Sequence, residues 1–208
     1  MRMESWSIDM DKIFKIIRKI TIPPVFAVVL FIVVYIAHPD YFGSIWHLIG
    51  ALCLVALLPT LAYPLQRFIP KFKDKGRDGQ RTLAMIFSFA GYLLGVAVAF
   101  IFAAPVELKM IYLEYLLCGI GIILFNKVLK IKASGHACGI VGPIIMLAYL
   151  GMYIPAIIET LFVVPVYVSS VRTKQHTVSQ LIVGSIIPAV VLLILIVVRY
   201  FFFDLRLI

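Results

Sequence analysis

Ser134-Gly135-His136 and, forty residues later, His176-Thr177-Val178-Ser179-Gln180 are where this 208-residue chain places side chains suited to phosphoryl transfer at the start of long apolar runs. An imidazole attacks phosphorus or carries a proton near neutral pH, provided a partner fixes its tautomer. Gln180 follows His176 by four positions, so on a helix they share a face and the amide oxygen can accept the ring N–H. Ser134 and Gly135 supply a hydroxyl, a small residue and helix-start N–H groups, a combination that cradles an anion. Arg77, Arg81, Lys132 and Arg172 are the cations available to neutralise equatorial oxygens, and Arg offers the bidentate grip. Each feature alone has a plainer meaning. A histidine near a helix start commonly caps it, loop cations follow membrane topology, and a lone Gln makes an interhelical hydrogen bond. Only the combination points to phosphate.

The elements that must position these groups are membrane helices. The chain is 63% hydrophobic and 14% charged, far from soluble-domain composition. A span needs roughly 20 apolar residues. That length predicts an all-α polytopic bundle of about seven transmembrane helices, near 21–37, 44–65, 82–104, 108–127, 136–151, 154–170 and 178–203. The fifth and sixth read as a tight hairpin around Gly151-Met152-Tyr153-Ile154-Pro155, because one helix over both would overshoot the bilayer. Residues 1–20 mix apolar and charged positions as an interfacial amphipathic helix does, leaving 21–208 as one transmembrane domain.

With seven spans, all Lys and Arg except Lys109, Arg199 and Arg206 fall on one side. The positive-inside rule places that side, with the N-terminus, in the cytoplasm of a multi-pass cell-membrane protein. The same count puts the segments carrying Arg77 and Arg81, His136, and His176 at one membrane face. A net charge of +9 invites a nucleic-acid reading. The cations lie between apolar runs, however, so membrane lipids and phosphate are the expected partners and nucleic acid is not. Cys53, Cys118 and Cys138 lack metal-site or disulfide spacing and read as small buried hydrophobes; no metal or cofactor is implied.

Glu114, Glu159 and His47 sit a few residues inside the outer ends of their spans, at one depth. They read as interfacial or hydrogen-bonded groups, or as the working groups of a small transporter. Gly91-Tyr-Leu-Leu-Gly95 and Gly135-His-Ala-Cys-Gly139 give small faces for close helix packing, with homo-oligomerisation as the other use.

Ser134-Gly135-His136 resembles the second signature, Pro-Ser-Gly-His, of the type 2 phosphatidic-acid phosphatase superfamily, whose fold is shared with vanadium haloperoxidases. Ser169 to Gln180 resembles the third, Ser-Arg, five residues, His, three residues, Asp. Arg77-Asp78-Gly79-Gln80-Arg81-Thr82 stands where the first, Lys, six residues, Arg-Pro, would fall. The resemblance implies His176 as nucleophile, forming a phosphohistidine, and His136 as acid for the leaving group. It implies phosphate binding by Ser134, Gly135 and Arg81. Thr82 stands for the signature Pro, Asp74 for its Lys, Ser170 for the third-signature Arg and Gln180 for the carboxylate. Gln180 can orient the ring without lending it charge, and Arg172 is the substitute grip. The His-Thr-x-x-Gln ending is similar to a divergent bacterial and archaeal branch.

The expected function is a metal-independent membrane phosphatase. Its substrate would be a lipid phosphate or diphosphate: an isoprenoid phosphate, phosphatidate or phosphatidylglycerophosphate. The alternatives are a catalytically silent relative that binds headgroups, favoured by Ser170 and Gln180, and the transporter.

Overall fold

The computed structural model describes Phe14, Ile16 and residues 20–201. Among these residues all regular structure is helical. Seven apolar helices follow in order: α1 (Pro23–Ala37), α2 (Ile45–Phe68), α3 (Gly76–Ile101), α4 (Val106–Val128), α5 (Gly135–Tyr149), α6 (Tyr153–Arg172) and α7 (Val178–Arg199). Five of them, α2, α3, α4, α6 and α7, are long and apolar enough to cross a membrane. The expected spans over 21–37 and 136–151 are apolar helices of 15 residues each. At 1.5 Å per residue these reach about 22 Å, short of a roughly 30 Å hydrocarbon core. The amphipathic helix expected over 1–20 lies outside the described residues, apart from Phe14, Ile16 and Ile20.

The polarity of α6 shows what solvent the helices are built for. Its buried residues are Ala156, Glu159, Val166, Ser169 and Ser170. Its outward face carries Ile154, Ile157, Ile158, Leu161 and Val164, with Leu161 69% exposed. A helix in water turns its apolar stripe inward; α6 turns polar and small groups inward and hydrocarbon outward, as a lipid-facing helix does.

The chain divides into two compact units. One holds the described residues up to Phe26 together with those from Ile120 on; the other runs from Ala27 to Gly119. In the 27–119 unit, α2 and α3 form a helical hairpin. α2 carries a π-helical turn at Leu52–Leu57, and a Cβ on Gly91 of α3 would overlap the Leu54 carbonyl oxygen. A Cβ on Gly95 would overlap the Tyr112 ring of α4. These glycines therefore serve the close packing expected of them. Phe31, Phe42, Tyr92 and Tyr115 add edge-on and tilted ring contacts. Cys118 and Cys138 are buried as expected, but Cys53 is exposed, on the outward apolar face of α2.

Candidate functional site

The unit from Ile120 on contains both histidine segments. Ser134 immediately precedes α5, and its N–H donates to the Gln180 carbonyl of α7 across 2.9 Å. A Cβ on Gly184, one turn further along α7, would overlap the Ser134 carbonyl. At the far ends, Arg199 Nη1 donates to Tyr149 Oη at 3.0 Å. α5 and α7 thus run parallel and in contact along their length, with α6 returning between them in the chain. Six residues separate Val178 from Gly184, so α5 begins about 9 Å below the start of α7.

Both helices are capped by the residues at which the histidines stand. Ser134, fully buried, accepts the Ala137 N–H at 3.2 Å. Thr177 accepts the Gln180 N–H at 3.3 Å. Such caps satisfy one of the free N–H groups of each first turn. His136 is the second residue of α5, half-buried, with its Nε2 atom buried. His176 stands just before the Thr177 cap, also half-buried. Its Nδ1 lies 3.2 Å from Gln180 Oε1, the contact that the four-residue spacing anticipates. With the amide oxygen accepting, Nδ1 carries the proton and Nε2 presents its lone pair.

In the chain, a cation precedes each histidine by four residues: Lys132 before His136, and Arg172, last residue of α6, before His176. Both are exposed. Beneath His176, the Ser170 carbonyl accepts the N–H of Gln175 at 3.0 Å and, weakly, of His176 at 3.4 Å. The Ser170 hydroxyl is buried without a hydrogen-bond partner among the described residues. Gly135 meets only Ile122, at ordinary contact distance, whereas a Cβ on Gly139 would crowd Pro23 at 2.7 Å. The close-packing role expected of that pair therefore falls to Gly139.

No family model, curated protein or solved structure matches this chain.

Arg77 and Arg81 belong to the other unit, where both are exposed in the first two turns of α3. His47 and Glu114 lie in that unit too, His47 with Nδ1 2.6 Å from the Phe42 carbonyl. Glu159 is in the unit of the histidines, two turns along α6 from the end remote from them. Glu114 and Glu159 are 2% and 5% exposed, so neither reaches outward as an interfacial carboxylate would. Among the described residues, no three His, Cys, Asp or Glu side chains converge as a metal site requires.

Sequence reasoning missed three features, carried by four residues. Asn126, in the π-helical end of α4, grips Ala133 with both ends of its amide. Nδ2 donates to the Ala133 carbonyl at 3.1 Å, and Oδ1 accepts the Ala133 N–H at 2.9 Å. That clamp folds the 129–134 loop back and delivers Ser134. Gly184 is the second, since only a missing Cβ lets Ser134 approach. Lys130 and Lys174 form the third, paired signal: both have positive φ, +56° and +53°, in the loops leading to His136 and His176. Such backbone costs about 1 kcal/mol or more per non-glycine residue and persists only where surrounding contacts hold it. An isolated Asn in an apolar run beside a basic loop was the one legible hint.

Proposed function

We propose that this chain is an integral-membrane phosphatase acting on a lipid phosphate or diphosphate through a phosphohistidine at His176, as the resemblance to the type 2 phosphatidic-acid phosphatases implies. The observation that carries the reading is the double engagement of Gln180. Its side chain holds His176 Nδ1 and its carbonyl holds the N–H of Ser134, two residues before His136. One residue thereby ties both imidazole segments to the same turn of α7.

The chemistry follows from that arrangement. The Nε2 lone pair of His176 attacks phosphorus, and the phosphorus–oxygen bond to the lipid breaks. The departing oxygen takes a proton from His136. Water then attacks the phosphohistidine, giving its proton to His136, and inorganic phosphate leaves with His176 restored. Gln180 keeps the Nδ1 proton in place throughout and stabilises the charged ring by its dipole rather than by a full negative charge. Lys132, Arg172 and the first-turn N–H groups of α5 and α7 supply the positive field for the equatorial oxygens.

The membrane setting suits an amphiphilic substrate. With α5 as a short span beside α7, α5 starts below the rim formed by α7. A headgroup phosphate can then reach the histidines while its tail stays in lipid. Isoprenoid phosphates or diphosphates, phosphatidate and phosphatidylglycerophosphate all meet that description.

The test is phosphate release by the purified full-length protein from a panel of these lipids. Wild-type turnover that His176→Ala abolishes and Glu114→Gln leaves intact supports the reading. Release that survives loss of His176 rejects the mechanism, and headgroup binding without release identifies a silent relative.

A further inference from the structure

The loop joining α2 to α3 is built with more care than a solvent-exposed connection needs. Between Gln66 and Asp78 the sequence holds five basic residues and two acidic ones, with Phe68, Ile69, Pro70 and Phe72 interleaved. Gln66, 6% exposed, lies beneath the loop. Its Nε2 donates to the Phe72 carbonyl and to the Gly76 carbonyl, each at 2.8 Å. Backbone bonds from Phe72 and Lys73 to the Ile69 carbonyl and from Lys75 to that of Phe72 close the turn. Phe72 packs with Ala62 and Leu83, which anchors the loop to both helices of the hairpin. Gly79 completes the fit: a Cβ there would stand 2.8 Å from Gln66 Nε2 and from the Phe72 carbonyl oxygen. Gly76, at φ +51°, makes the final reversal into α3.

What this rigid loop presents outward is cationic and aromatic. Lys71, Lys73 and Lys75 are exposed. The ammonium groups of Lys71 and Lys75 each lie 5.9 Å from the centre of the one Phe72 ring, so they are gathered about a common point. Arg67 lies over the Phe68 ring at 4.6 Å, and that ring is exposed. Basic groups beside an exposed aromatic ring, at the end of two membrane-length helices, match the headgroup layer of an anionic leaflet: the ring enters the interface and the cations meet phosphate. Topology alone asks only for positive charge; it does not ask for a buried amide that pins the loop's shape.

We propose that the 66–76 loop is a preformed seat for anionic phospholipid headgroups, with Lys71, Lys73 and Lys75 as the phosphate-facing cations and Phe68 as the interfacial anchor. The proposal is independent of whether His176 turns over. Gln66 is its positioning residue, holding the cations together so that little ordering is left for binding.

The experiment uses the full chain purified in neutral detergent, titrated with phosphatidylglycerol and separately with phosphatidylcholine, bound lipid being read by native mass spectrometry. Wild type is expected to retain phosphatidylglycerol in preference. The triple variant Lys71→Gln, Lys73→Gln, Lys75→Gln is expected to lose roughly a hundredfold in apparent affinity, at about fivefold per cation. Gln66→Leu keeps every charge and is expected to weaken binding about tenfold. Phe68→Ala, at an exposed position outside the clamp, tests the seat should Gln66→Leu fail to fold. Equal retention of both lipids, or a triple variant that binds as wild type does, overturns the proposal. So does inorganic phosphate displacing phosphatidylglycerol at comparable concentration, since the seat would then hold an ion and not a lipid. Unchanged binding by both Gln66→Leu and Phe68→Ala would reduce the loop to diffuse charge and overturn it equally.

Discussion

The main-chain N–H of Ser134 donates to the carbonyl of Gln180 across 2.9 Å, joining residues 46 positions apart in the chain. This bond uses only backbone atoms of Gln180, so the side chain can be changed without dissolving the junction. The expected result for Gln180→Leu is a folded protein whose phosphate release falls about tenfold to a hundredfold, the worth of one orienting hydrogen bond to a reacting group. Unchanged turnover would show that Gln180 does not set the His176 tautomer.

His136→Ala separates acid catalysis from nucleophilic attack. A general acid contributes roughly a hundredfold to ten-thousandfold, and its loss matters most when the leaving oxygen is basic. The expected variant hydrolyses an alkyl phosphate slowly and an activated aryl phosphate nearly as fast as wild type. Equal slowing on both substrates would remove His136 from the acid role.

Gly184→Ala drives a methyl group into the Ser134 carbonyl and is expected to lower both melting temperature and activity. Gly50→Ala is the matched control, because a Cβ there meets nothing within 4 Å. It should leave activity alone and raise helix stability by about 0.5–1 kcal/mol. Thermal melts of the two variants side by side decide the matter. A Gly184→Ala protein as stable and active as Gly50→Ala would disprove the close junction.

Asn126 lends itself to graded replacement. Asp keeps the acceptor for the Ala133 N–H but turns a lone pair toward the Ala133 carbonyl, and Leu removes both contacts. Turnover should fall in the order Asn, Asp, Leu, with stability dropping by about 1–3 kcal/mol as buried backbone groups lose their partners. Identical kinetics for all three would confine Asn126 to no role in delivering Ser134.

Glu159 distinguishes the phosphatase from a transporter. Both of its carboxylate oxygens are buried without a hydrogen-bond partner among the described residues. An unsatisfied buried polar group costs about 1–3 kcal/mol. In a phosphatase that does not use it, Glu159→Leu should therefore raise the melting temperature and preserve phosphate release. A stabilised protein that loses ion or solute flux in proteoliposomes would favour transport instead.

Composition and period alone determined that the described residues are helical and apolar and, within about two residues, where each helix begins except α3, which starts at Gly76 rather than near 82. Hydrocarbon burial is read residue by residue along a helix, and a span must repeat it over some twenty positions. The His176–Gln180 contact was legible too, because a four-residue offset on one helix fixes neighbours without reference to the rest of the fold. Nothing local could reveal the parallel contact of α5 with α7, the clamp of Asn126 on Ala133, or the need for Gly184. Those depend on which remote backbone arrives at a given turn, and a Cβ is excluded only by an atom from elsewhere in the chain. The inward polarity of α6 belongs to the same class. The sequence lists Glu159, Ser169 and Ser170, but only packing decided which side of the helix faces protein and which faces hydrocarbon.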